Sequence, residues 1–128
     1  MADIDRALSG IDRDKFWSYV DDLVATSRVV IDRPKGSRHP TITEAIYPLD
    51  YGYLEGTTAG DGDGIDVWVG SLQPARATAV VCTIDGRKRD AEIKILLGCT
   101  GDEARVILEF LNTGLMAAVL VHRPSQAG

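Results

Sequence analysis

Oxygen-bearing side chains crowd residues 47–66, Tyr-Pro-Leu-Asp-Tyr-Gly-Tyr-Leu-Glu-Gly-Thr-Thr-Ala-Gly-Asp-Gly-Asp-Gly-Ile-Asp, which hold three of the four tyrosines and five of the nineteen acids. No Lys or Arg lies between Arg38 and Arg76, so the six carboxylates from Glu44 to Asp66 have no basic partner in their own segment. Like charges held close raise one another's free energy, and a bound divalent cation is the simplest compensation. Asp61, Asp63 and Asp66 follow i, i+2, i+5, a spacing that a turn can gather, and Gly60, Gly62 and Gly64 make the turn cheap. Oxygen-only ligands favour Mg, Mn or Ca over zinc. The same Gly-Asp-Gly-Asp-Gly run is also ordinary solvated turn composition. A calcium loop of the EF-hand kind fits poorly, because its later ligand positions fall on Ile65 and Leu72. Tyr47, Tyr51 and Tyr53 add uncharged phenol donors suited to phosphate oxygens.

The elements that must hold these groups are readable from periodicity. Residues 13–26 place Phe16, Val20, Leu23 and Val24 at helical spacing, a cover helix within a helical extension over 1–26, with Asp12 or Asp14 as cap and Trp17 as packing. Val29 to Ile31 reads as a strand stopped by Pro34 and turned through Gly36 and Ser37. Ala45 to Tyr47 is a brief strand entering the central loop. Ile65, Val67 and Val69 then share a core face, with Asp66 and Trp68 opposite. Ala77 to Ile84 is a more fully apolar strand, and Ala91 to Leu97 alternates again, putting Glu92 and Lys94 on one face. Thr100 and Glu103 fit a capping box ahead of a helix whose stripe is Ala104, Ile107, Leu108 and Leu111, ending near Gly114. Leu115 to Val121 reads as a buried strand or a contact between copies, and 123–128 as a frayed tail. Short strands flanked by two helices suggest an α+β chain built on a small five- to six-stranded antiparallel β-barrel.

Composition narrows the class. At 128 residues and 45% hydrophobic, the chain is expected to be one domain, 1–128, with a real core. It has no run of eighteen apolar residues, and its acidic start lacks the order of a secretory signal, so a cytoplasmic protein with no membrane partner is expected. Cys82 and Cys99 read as buried free thiols. A net charge of -5 argues against nucleic acid. Charge is nonetheless segregated: Arg28, Arg33, Lys35 and Arg38 face only Asp32 over 27–38, and Arg87, Lys88, Arg89 and Lys94 cluster later. Basic strands facing an acidic loop suit a metal-plus-phosphate site, and equally a plain surface ion-pair network.

Tyr-Pro-x-x-Tyr-Gly-Tyr followed by Asp-x-Asp-x-x-Asp, preceded by Ile-Asp-Arg-Pro-Lys-Gly-Ser-Arg-His-Pro, resembles the signature of the soluble family I inorganic pyrophosphatases, most closely its short bacterial members. The resemblance implies an OB-like barrel and metal-dependent hydrolysis of inorganic diphosphate to two phosphates by a metal-activated water, with Mg2+ or Mn2+. It makes Asp61 and Asp66 metal ligands with Glu92 as a third, Asp63 the residue that activates water, and Asp66 and Tyr51 its companions in catalysis. Lys35, Arg38, Tyr47, Tyr51 and Lys94 become substrate contacts, and Asp32 faces the site. Bacterial members assemble as multimers, which the apolar C-terminal strand permits here.

The chain also departs from the family pattern. Arg87-Lys88 stand where larger members have an Asp-Glu pair, Pro40 and Ile42 stand where a lysine and a glutamate are expected, and the C-terminal Tyr-Lys contacts have no counterpart unless Arg123 substitutes. Asp85 or Asp90 could restore a carboxylate, or Arg87 or Lys88 could meet phosphate directly. Two other readings therefore stay open: a catalytically weak or silent protein that binds phosphate compounds on the same barrel, and a hydrolase of another diphosphate.

Overall fold

The computed structural model describes residues 2–124. Its element order is α1 (Ala2–Ala7), α2 (Asp14–Ala25), β1 (Val29–Arg33), β2 (Asp50–Leu54), β3 (Ile65–Val69), β4 (Ala77–Asp85), β5 (Asp90–Leu97), α3 (Gly101–Leu111) and β6 (Met116–His122). The strands form one sheet in the order β1-β2-β3-β5-β4-β6. The α+β class and the OB-like strand set hold. The sheet is mixed rather than wholly antiparallel, because β3 and β5 run parallel, and among the described residues no ladder joins β1 to β6 to close a barrel. The crossing follows from the hairpin: β4 enters beyond the future place of β5, and β5 folds back antiparallel along it into the gap beside β3.

Helices cover both faces of the sheet at its central strands, which is why Val67 and Trp68, neighbours pointing opposite ways, are each fully buried. On one face α3 packs Ile107 and Leu111 against Trp68, Val81 and Leu96. Its capping box forms as expected, with Thr100 Oγ1 accepting from the Glu103 amide and Glu103 Oε1 from the Thr100 amide. On the other face α2 packs Trp17 and Val20 against Leu54, Val67, Val80 and Ile95. The Asp12 carboxylate takes the Asp14 amide at 2.8 Å. The expected stripe is rotated: Trp17 replaces Phe16 as the inward residue, and Phe16 and Leu23 stay 45% and 39% exposed.

Two strands differ from expectation. Residues 50–54, expected in the central loop, form β2 between β1 and β3. Asp50 and Gly52 are poor strand formers, yet Gly52 is the residue that fits, since a Cβ there would stand 1.8 Å from the Val30 carbonyl oxygen of β1. The final strand lies at the sheet edge rather than buried, with Ala117, Val119 and Val121 exposed. At that edge the Asn112 carboxamide accepts from the Ala118 amide and donates to its carbonyl. Arg123, placed in the expected tail, is held by two bonds to Asp21 of α2, and 125–128 lie outside the described residues.

Candidate active site

The site begins with strand pairing. Asp66 of β3 and Lys94 of β5 are direct cross-strand partners, and Glu92 precedes Lys94 by two, so all three project from the α3-side face. Tyr51 joins them from β2, where it lies opposite Trp68. Lys94 Nζ donates to the Tyr51 hydroxyl at 2.7 Å, to Asp66 Oδ2 at 2.9 Å and to Glu92 Oε2 at 3.0 Å. With 7% of its side chain exposed, Lys94 is a buried ammonium whose three donors are all used.

Burial opposes that charge, but Tyr51 and Asp66 beside it outweigh burial and hold the Lys94 pKa above lysine's ordinary value. Burial likewise pushes the Tyr51 phenol up, against the opposing pull of Lys94 and with help from Asp66, so Tyr51 stays protonated at neutral pH.

A second couple lies alongside. Arg33 Nη1 donates to the Tyr47 hydroxyl, and its guanidinium sits 5.6 Å from the Tyr47 ring centre. Sequence reading passed over Arg33 and assigned its place to Asp32. The correction comes from a β-bulge: Ile31 pairs with Gly52 but Arg33, not Asp32, pairs with Tyr51. The extra residue reverses the alternation, turning Arg33 to the site and leaving Asp32 exposed. A Pro immediately after the strand was the available hint of irregular pairing.

Both phenols rest on an aromatic plate. Tyr47 lies 5.4 Å from Tyr51 and 5.8 Å from Trp68, and Phe110 of α3 packs 5.1 Å from Tyr47 and 5.7 Å from Trp68. The turn after β1 fixes the main chain of Tyr47, whose carbonyl accepts from Gly36 and whose amide donates to Ser37. Gly36 adopts φ 88°, a backbone that favours glycine. His39 stacks on Tyr47 at 6.2 Å, and its Nδ1 accepts from the Thr41 and Ile42 amides. Burial, then Arg33 and Lys88, lower its pKa.

The remaining sequence candidates stand apart from this cluster. Asp61 and Asp63 are exposed in the turn before β3, where Asp61 Oδ1 accepts from the Asp63 amide. Arg38 is exposed and donates to the Thr43 carbonyl, while Lys35 contributes its amide to Asp50 Oδ1. Asp85 accepts from the amides of Arg87 and Lys88 and is committed to the hairpin turn. Arg123, the substitute phosphate contact, is engaged with Asp21 instead. Among the described residues no three His, Cys, Asp or Glu side chains gather as a metal-holding group. Asp66 and Glu92, both half-buried, meet at the Lys94 ammonium, and their carboxylate oxygens are of the donor type that a hard divalent cation takes, with the acid-bearing turn leading directly into β3.

A family model described as Inorganic pyrophosphatase matches residues 23–97. No curated protein sequence matches the chain. Among solved structures the chain is similar to an inorganic pyrophosphatase from Neisseria gonorrhoeae, with TM-score 0.56 and 20% identity over 70% of this chain and 77% of that one. It is also similar to an inorganic phosphatase from Anaplasma phagocytophilum, with TM-score 0.52 and 18% identity over 73% and 81% of the two chains. The inorganic pyrophosphatase from Helicobacter pylori aligns over the same shares with TM-score 0.51 and 16% identity. These likenesses carry the fold. The family match spans all the strands that build the site, from β1 to β5, and by it the chain belongs to the inorganic pyrophosphatase family.

Proposed function

We propose that the chain hydrolyses inorganic diphosphate to two phosphates at the Lys94 cluster, with Mg2+ or Mn2+ as the metal held by Asp66 and Glu92 and by Asp61 of the adjoining turn. The observation that carries this reading is the buried Lys94 ammonium meeting Tyr51, Asp66 and Glu92 within 3.0 Å. Family membership supports a metal-dependent reaction. Such an ion, when bound, neutralises the electrophile and acidifies water.

The protein's own groups supply positioning and charge, which is most of what phosphoryl transfer asks. Arg33 donates to Tyr47, so that phenol keeps its own O–H for a phosphate oxygen, while the guanidinium's other donors remain for the substrate's charge. Tyr51 faces the opposite side of the substrate with its hydroxyl set by Lys94, whose ammonium contributes charge from behind it, Lys35 and Arg38 line the outer approach, and Asp63 in the turn orients or deprotonates the attacking water. The free thiols Cys82 and Cys99 accord with a cytoplasmic enzyme.

Phosphate release from diphosphate is the direct test. Release with Mg2+ or Mn2+, abolished by Asp66→Asn with circular dichroism unchanged, supports the proposal; no release with either metal overturns it. Calorimetric titration of Mg2+ reports binding separately from turnover, and Asp66→Asn is expected to weaken it at least about tenfold.

A further inference from the structure

Trp68 of β3 holds, at its indole Nε1, the one buried side-chain polar atom among the described residues that has no hydrogen-bond partner. The side chain is fully buried beside Leu49, Val81, Leu96 and Ile107, whose side chains offer no oxygen. An unpaired buried donor costs stability that a Leu or Phe in the same place would keep, so its presence calls for a reason. The neighbouring rings supply one. Trp68 is the cross-strand partner of Tyr51, and the two ring centres lie 4.7 Å apart with planes inclined at 64°. Phe110 and Tyr47 stand farther off, at 5.7 and 5.8 Å. An indole rim is positive and a phenol face negative, so an inclined pair attracts, and the N–H is the most positive point on that rim.

The angle of the Tyr51 ring matters because of the proton it carries. Lys94 donates to the Tyr51 oxygen at 2.7 Å, which fixes that end of the side chain and leaves the phenolic proton for another acceptor. Asp66 stands close enough to compete for it. Conjugation keeps a phenolic O–H in the plane of its ring. Rotation of the ring about its long axis therefore leaves the oxygen in place and swings the proton, so a contact on the ring face decides which acceptor the proton meets. We infer that Trp68 is a positioning residue: its indole N–H lies against the Tyr51 ring and sets the plane in which Tyr51 presents its proton to a phosphate oxygen. The identity of that acceptor rests on the reaction proposed above; the contact between the two rings does not. The role accounts for a donor that packing alone leaves as pure cost, since a hydrogen bond to an oxygen would have turned the indole away from Tyr51.

NMR spectra of the indole N–H groups test the contact on the wild-type chain, which has two tryptophans, so Trp17→Phe assigns the signals. A proton lying over a ring face is shielded by the ring current. The expected result is a Trp68 N–H signal upfield of the free-indole position, kept in Tyr51→Phe and Phe110→Leu and lost in Tyr51→Leu. Trp68→Phe keeps a ring and removes the donor: kcat on diphosphate is expected to fall on the order of tenfold, with KM, Mg2+ binding and circular dichroism unchanged. A tryptophan that only fills space would instead lower Tm and leave the kcat of the folded chain alone. An N–H signal at the ordinary indole position, a shift that follows Phe110 rather than Tyr51, or an unchanged kcat in Trp68→Phe overturns the inference. A wild type that releases no phosphate sinks the reaction proposed above, while the spectrum still decides the contact with Tyr51.

Discussion

At the scale of residues, Lys94 governs both stability and chemistry. Lys94→Met leaves Asp66 and Glu92 facing each other with 27% and 23% of their side chains exposed, and removing one partner of such a pair costs about 3 kcal/mol. Urea denaturation measures this, and adding Asp66→Asn should recover part of the loss. His39 gives a pH dependence of definite sign. Its pKa lies below the ordinary 6.5, so the folded chain takes up this proton less readily than the unfolded one. The stabilising contribution is complete above about pH 6.5 and fades as pH falls through the lowered value, where protonating Nδ1 also breaks its bonds from Thr41 and Ile42. An NMR titration of the His39 ring should show the depressed midpoint, and a midpoint at or above 6.5 contradicts it. In the sequence, strand alternation put Asp66, Glu92 and Lys94 forward, and the tyrosine motif put forward Tyr47 and Tyr51. Arg33 was not legible there: one unpaired residue in β1 reverses which side of the strand it occupies, and no periodicity announces that.

At the scale of elements, the propensity of single residues misled where packing decided. β2 was hidden by Asp50 and Gly52, residues that disfavour strands in isolation. The close passage of β1 turns that into a requirement, and Gly52→Ala is expected to cost about 3 kcal/mol or more, since the added carbon collides with the Val30 and Ile31 main chain of the paired strand. Thermal melting would show it, and a Tm within about 2 °C of wild type would mean β1 can withdraw without penalty. α3, by contrast, was legible to the residue at its start, because a capping box is local chemistry that tertiary structure seldom overrides. α2 was legible in extent but not in rotation: Phe16 and Trp17 are both apolar, and which turns inward depends on the sheet beneath.

At the scale of the whole molecule, the strand set and the α+β class were legible from short alternating runs between turns. The parallel pairing of β3 with β5 was not, because it depends on where β4 lands rather than on any segment's own pattern. At Ala118 one side chain closes the β6 edge of the sheet. The Asn112 carboxamide answers Ala118 as a neighbouring strand would, so the apolar run Met116–His122 does not template the addition of further chains at that point. Asn112→Leu withdraws that stopper, and the expected outcome is fibril formation with thioflavin fluorescence on prolonged warming, under conditions where the wild-type solution stays clear.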